Sequence, residues 1–187
     1  MWPFRKTMTV VQSGILKGMS DCHSHLLSGV DDGVQTLDES LEILATMERL
    51  GVRKVWLTPH VMEDIPNETT TLQGKFQELK RSYSGTLELV LAAEYMVDNL
   101  FEERLEKDDL LPLEEGQRYL LVETSYFSPP MGLLSILQRI QKKGYYPLLA
   151  HPERYEYMQK KDYKALKEEH ISFQLNVPSL IGVYGRH

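Results

Sequence analysis

The sequence predicts a single α/β domain, and three observations carry that expectation. Short apolar runs alternate with amphipathic segments of helical period, the pattern left by successive βα units. The runs recur at nearly even intervals, and most are followed at once by an imidazole or a carboxylate. With 187 residues, 42% of them apolar, the chain can bury a sizeable core.

Taken in order, the first run leads into Met19-Ser20-Asp21-Cys22-His23. Residues 1–18 read as a leader and entry segment, and residues 19–187 as the domain. After a loop through Asp31-Asp32-Gly33, Thr36 stands three residues before Glu39, the spacing of a capping box. Leu37, Leu41, Leu44, Met47 and Leu50 then mark one face of a helix that Gly51 can end. A second strand over Val52–Thr58 is stopped by Pro59, with His60 just beyond. A helix follows around Leu72–Lys80, and a third strand over Leu87–Ala93 delivers Glu94. A helix over Leu100–Lys107 takes Asp98 or Asn99 as its cap. The fourth strand, Tyr119–Val122, delivers Glu123. Pro129 and Pro130 precede a helix through Leu133, Leu134, Leu137 and Ile140, which Gly144 ends. The fifth run, Pro147–Ala150, delivers His151, and a short helix over 162–169 leads to a sixth strand, Ile171–Leu175.

Composition excludes several classes of function. The formal charge is −6 with both signs interspersed, so no broad attraction to nucleic acid or anionic membrane is expected. No run approaches the roughly 20 apolar residues of a membrane span, and the N-terminus lacks a signal-peptide core. A cytoplasmic location and no membrane insertion are therefore expected; oligomerisation is compatible with the sequence. Cys22 is the only cysteine, which excludes an intrachain disulfide. No arginine closes a phosphate loop after it, so Cys22 reads as a small buried hydrophobe rather than a nucleophile. No Walker or dinucleotide fingerprint is present.

The candidate chemistry lies in the recurrence. His23, His60, Glu94, Glu123 and His151 are separated by 37, 34, 29 and 28 residues. In parallel α/β proteins, residues past the strand C-termini gather on one face, so these five should converge. Any one of them alone would ordinarily be a cap or a loop residue. Five in succession, all imidazole or carboxylate, point to metal. His23 and His25, two apart in extended chain, face the same side. Such nitrogen and carboxylate donors suit manganese, iron or zinc, and several carboxylates favour more than one ion. A multinuclear centre activates water, so hydrolysis is the economical reaction class. Arg154, three residues after His151, offers a planar fork for phosphate, although pairing with Glu153 or Glu156 explains its position nearly as well.

Together, Asp21-Cys22-His23-Ser24-His25 with Gly29-Val30-Asp31-Asp32-Gly33, then Leu57-Thr58-Pro59-His60, Ala92-Ala93-Glu94-Tyr95, Leu121-Val122-Glu123, Ala150-His151-Pro152-Glu153-Arg154 and Gln174-Leu175-Asn176 through Gly185 carry a resemblance to a known family. The chain resembles the bacterial polymerase-and-histidinol-phosphatase (PHP) superfamily, especially its manganese-dependent tyrosine-protein phosphatases of capsular and exopolysaccharide synthesis. The resemblance implies a distorted (β/α)7 barrel around up to three metal ions. It implies that His23 and His25 hold the first ion and that Glu94 bridges to a second. Glu123 and His151 would complete the second, Asp32 and His60 would serve the third, and Arg154 would contact phosphate. The implied substrate is a phosphotyrosine protein, typically the tail of a kinase of the polysaccharide system. Family chains continue to an Asp-x-His pair that supplies further ligands; here His187 is last, so the barrel is expected to lack its last βα unit. That absence keeps two other readings beside the first: a small phosphate-monoester hydrolase such as a histidinol phosphatase, and a noncatalytic metal-binding regulatory protein. Tyr126, Phe127 and Tyr184 could form an aromatic rim, though ordinary packing explains them as well.

Overall fold

A computed structural model describes residues 9–114, 116–180 and 182–183. A short helix α1 (Val10–Ser13), capped by Thr9, precedes strand β1 (Ser20–Asp21). Then come α2 (Leu37–Arg49), β2 (Lys54–Leu57), β3 (His60–Val61) and α3 (Thr69–Ser82). Strands β4 (Glu88–Leu91) and β5 (Glu94–Met96) lead to α4 (Asn99–Lys107). Strands β6 (Leu113–Glu114) and β7 (Arg118–Glu123) lead to α5 (Leu133–Lys142) and β8 (Tyr146–Leu149). A 3-10 turn (Pro152–Arg154), α6 (Lys160–Glu168), β9 (Ser172–Phe173) and α7 (Val177–Leu180) complete the described chain.

The strands form two sheets of mixed α/β type, ordered β1-β2-β4 and β3-β5-β7-β8-β9, parallel except where β6 pairs antiparallel with β7. The second and third expected strands end close to their expected bounds, and each is followed two residues later by a further short strand. Thr58-Pro59 divides β2 from β3, and Ala92-Ala93 divides β4 from β5. Pro59 has no amide hydrogen to give a ladder, yet its carbonyl accepts from Glu94 N at 3.0 Å, and pairing resumes at His60↔Glu94. Two chain paths therefore contribute to both sheets. Pairing between β1 and β9 is absent among the described residues, so no closed barrel is observed.

Each strand alternates between two cores, as a period of two requires. Val55, Leu57, Leu89, Leu120, Val122 and Leu149 face the helices and pack with Leu44, Phe76, Phe101, Leu105, Leu137 and Ile140. Trp56, Ala92, Leu121 and Ala150 face the other way and form a smaller cluster with Val90, Tyr119, Leu148 and Cys22. Cys22 thus packs as a small apolar group, and burial pushes its thiol pKa up, which disfavours the thiolate.

Helix α2 starts where the capping box predicts: Thr36 Oγ1 accepts from Glu39 N, and Thr36 N donates to Glu39 Oε2 at 3.0 Å. Gly51 follows in the left-handed region, φ 91°. Thr36→Ala should cost about 1 kcal/mol by loss of the cap. Leu44→Ala, at a fully buried position, should cost about 2–5 kcal/mol by transfer and cavity terms. Urea denaturation that ranked the two in the opposite order would contradict this packing. The loop before α2 is pinned by Gly33, where a Cβ would lie 2.3 Å from His25 O. Only glycine lets this loop fold against His25. No helix among the described residues is long and apolar enough to cross a membrane.

Candidate metal centre

Residues just past β1, β8 and β9 meet the first residues of β3 and β5 around a cavity of about 730 Å³, lined among others by Asp21, His23, His25, Asp32, His60, Glu94, Tyr126, His151, Arg154 and Gln174. Strand parity explains two of its members, Glu94 and His60, and also Glu123, which contacts His60 and His151. Glu94 follows Ala92 on the inner face, Glu123 follows Leu121, and His60 lies four residues past Trp56. The apolar runs place these residues just past strand ends; in the fold His60 and Glu94 open short strands and Glu123 closes one. The physical cause is the interruption at Pro59 and Ala92-Ala93, after which the ladder resumes and holds the ligand candidates rigidly.

Glu94 is the hub. Its carboxylate is fully buried and lies 3.0 Å from His23 Nε2, 3.4 Å from His25 Nε2, 3.2 Å from His60 Nδ1 and 2.9 Å from His151 Nε2. Glu123, also buried, lies 3.1 Å from His60 Nδ1 and 3.7 Å from His151 Nε2. Asp32 is at the exposed mouth, 3.6 Å from His60 Nε2. Three overlapping groups result, each with donor atoms within 4.8 Å of one another: His23, His25 and Glu94; His25, Asp32 and His60; His60, Glu94 and Glu123. His151 joins through Glu94. All seven metal-candidate residues of the sequence analysis are therefore brought together, with Arg154 on the same cavity wall.

The electrostatics are those of a site that demands cations. His23 Nε2 and His25 Nε2 stand 3.2 Å apart. Two lone pairs cannot face each other there, so the pair must share a proton or a metal ion. Burial opposes the charged form of His25, but the Asp31 and Glu94 carboxylates outweigh it and push its pKa up to about 10. Burial likewise opposes charge on His60, and Glu123 and Glu94 raise it nonetheless. Burial works against the Glu94 carboxylate, yet contacts with His151, His23 and His25 hold its pKa well below the usual carboxylate range. The donor set, nitrogen and carboxylate oxygen without thiolate, fits manganese, iron or zinc.

Three further residues serve this site. Asp31 Oδ2 lies 2.8 Å from His25 Nδ1 and accepts from His60 N at 3.0 Å, orienting one ligand candidate and anchoring the strand that bears another. Asp21 accepts from His23 N, and burial pushes its carboxyl pKa up. Gln174 lies 2.9 Å from His23 Nδ1. The sequence held the Asp31-Asp32 pair in view, but nothing in it distinguishes the residue that holds a ligand from the ligand. The position of Gln174, two residues after Ser172 on the sixth strand, was the available signal for its facing the site.

Glu153 Oε1 accepts from Asn176 N and Ser179 Oγ, and the Arg154 guanidinium lies 4.5 Å over the Tyr126 ring. Tyr126 lines the cavity, and the neighbouring Phe127 is 75% exposed; Tyr184 and His187 lie outside the described residues.

Comparison with known proteins places relatives beside this geometry. Residues 19–187 match the family model described as capsular polysaccharide synthesis, CpsB/CapC. The chain is 28% identical over 174 residues to the tyrosine-protein phosphatase YwqE of Bacillus subtilis (strain 168), across 90% of this chain and 68% of that protein. It is 33% identical over 144 residues to the tyrosine-protein phosphatase CpsB of Streptococcus pneumoniae, across 74% of this chain and 58% of that protein. A solved structure from work on YwqE and CpsB, described as metal-dependent tyrosine phosphatases, superposes with a TM-score of 0.81 at 28% identity, covering 90% of this chain and 70% of that one. The chain thus spans 58–68% of the length of these two curated relatives.

Proposed function

This chain belongs to the CpsB/CapC family of capsular polysaccharide synthesis, and we propose that its cavity is built for metal-dependent hydrolysis of protein phosphotyrosine. The observation that carries the reading is the convergence of four imidazoles on the buried Glu94 carboxylate, in one cavity with Arg154. His23, His25 and Glu94 would hold one ion, Glu94, Glu123 and His151 a second, and Asp32 with His60 a third. Manganese is the first choice, as the resemblance to the manganese-dependent PHP phosphatases implies. The two sheets, joined by the shared paths β2–β3 and β4–β5, are read as parts of a distorted PHP-type (β/α)7 barrel.

When bound, divalent ions supply Lewis acidity toward water and toward phosphoryl oxygens. The residues of the chain do the rest. Hydrolysis forms a bond from water oxygen to phosphorus and breaks the bond to the tyrosyl oxygen, which leaves as the phenol. Arg154 offers parallel N–H donors to the non-bridging oxygens, and the Tyr126 ring beneath its guanidinium limits where that fork can point. A protein substrate over a small monoester is supported by the relatives, which are named tyrosine-protein phosphatases. The capsular description of the family, with relatives named tyrosine-protein phosphatases, supports a tyrosine-phosphorylated protein of the capsular system as that substrate, and the resemblance implies the tail of its kinase.

The test is phosphate release from a phosphotyrosyl peptide with added manganese, against histidinol phosphate and a phosphoseryl peptide. Turnover of the phosphotyrosyl peptide that chelator abolishes is expected. Turnover of histidinol phosphate alone would replace this reading with the small-monoester one, and metal uptake without turnover of any substrate would replace it with a noncatalytic role. Arg154→Ala should lower kcat/KM for the phosphotyrosyl peptide by about 10²-fold, in the range of other lost charge-stabilising donors, while metal content is unchanged. Equal kcat/KM in the two proteins would remove Arg154 from the mechanism.

A further inference from the structure

We propose that Gln174 is a positioning residue of the metal centre, whose single side-chain oxygen presets the His23 ring for metal and holds His151 in its turn. The proposal rests on the metal-centre reading above.

Gln174 is buried on the sixth strand path, just past β9. Its Oε1 accepts from His151 N at 3.1 Å and lies 2.9 Å from His23 Nδ1. Its Nε2 donates to Leu175 O at 2.9 Å and to Asn176 Oδ1 at 3.0 Å. These contacts settle which end of the amide is which. A backbone N–H can only donate, so the atom facing His151 N is the oxygen, and the amide nitrogen has its own acceptor in the Leu175 carbonyl. The same oxygen faces His23 Nδ1, so Nδ1 must carry the hydrogen. Nδ1 is then committed to Gln174, and Nε2, which faces Glu94 Oε2 3.0 Å away and His25 Nε2, is the nitrogen left for a metal ion in place of a proton. One amide oxygen thereby selects the ligating nitrogen, as an outer partner of a metal-bound histidine does.

The second contact acts on the backbone. His151 is in the left-handed region, φ 31° and ψ 50°, which L residues with side chains adopt rarely. By parity with Leu148 and Ala150 its side chain would point away from the inner face; the left-handed turn redirects it, and its Nε2 reaches Glu94. The amide hydrogen bond to Gln174 holds that conformation. Gln174 therefore ties the ends of β1, β8 and β9 together at the point where two ligand candidates meet one carboxylate.

Gln174→Leu keeps the volume and removes the acceptor; Gln174→Glu keeps the acceptor. Three readouts apply: the dissociation constant for manganese by chelator competition, the His23 ring tautomer from nitrogen-15 NMR of metal-free protein, and the melting temperature. Gln174→Leu should weaken manganese binding about 10–100-fold, and Gln174→Glu should restore it to within a few-fold. Wild-type His23 should carry its hydrogen on Nδ1. Equal affinity in wild type and Gln174→Leu would overturn the proposal, as would a wild-type His23 protonated on Nε2 alone. If Gln174→Leu does not fold, the wild-type tautomer and the Gln174→Glu affinity decide. Should wild type take up no metal, the metal-centre reading fails, and the tautomer still decides the role of Gln174.

Discussion

Replacing His23 and His25 together by alanine is expected to strip the first metal position and reduce phosphotyrosine hydrolysis by at least about 10³-fold. The magnitude follows from what the position supplies: a divalent ion contributes several kcal/mol of charge stabilisation to a phosphoryl transition state, and about 4 kcal/mol corresponds to 10³ in rate. The two imidazoles are the nitrogen donors of the group they form with Glu94; the other nitrogens beside that carboxylate, His60 Nδ1 at 3.2 Å and His151 Nε2 at 2.9 Å, are the ones proposed for the other two ions. The fold should survive. Both side chains line the cavity and lie outside the apolar clusters, and Ser24 between them keeps the chain in place through its bond to Trp56 O at 2.8 Å. Elemental analysis of the purified double variant should show metal lost relative to wild type, with far-ultraviolet circular dichroism unchanged. Retained metal together with undiminished turnover would sink the assignment of both histidines.

The degree to which this site was legible in the sequence depends on strand parity. Glu94 and Glu123 continue the inner-face alternation of Val90, Ala92 and of Tyr119, Leu121, so a reader who finds the strands also finds the carboxylates. The six strand paths and the helices α2 to α6 are legible for the same reason, since both periods are written in apolar residues. His151 is not legible in this way: alternation assigns it to the wrong face, and only its positive φ corrects that. Nor do the interruptions at Pro59 and Ala92-Ala93 announce that pairing resumes two residues later, because that depends on the Pro59 carbonyl meeting Glu94 N across the sheet. The antiparallel strand β6 escapes for a simpler reason. Two residues are too few to show a period. Asp31 and Asp32, adjacent and chemically identical, divide into a buried orienting carboxylate and an exposed ligand candidate only because the Gly33 turn presses one of them against His25.

Metal should stabilise the protein far more at pH 8 than at pH 5.5, because protons and metal compete for the same nitrogens. The signs are fixed by the shifts. His25 has its folded pKa raised to about 10 from 6.5, so without metal its contribution is fully present below pH 6.5 and is lost as pH rises toward 10. His60, raised as well, loses stability in the same direction. Glu94 and Asp31, held below their ordinary values, contribute above pH 4.5 and are lost on acidification. Asp21, raised by burial, adds a penalty as it ionises. Metal-free protein should therefore be most stable between about pH 4.5 and 6.5, with His25 alone withdrawing at most about 2 kcal/mol by pH 8. Metal ligation requires the deprotonated ring, so its contribution grows over that same interval. At a free concentration 1,000 times its dissociation constant, an ion adds about 4 kcal/mol. Melting curves with manganese and with chelator, at both pH values, measure the difference directly. A metal-induced rise in Tm that is equal at pH 5.5 and pH 8, or a metal-free protein that gains stability between them, would show that the histidines are not the groups through which metal binds.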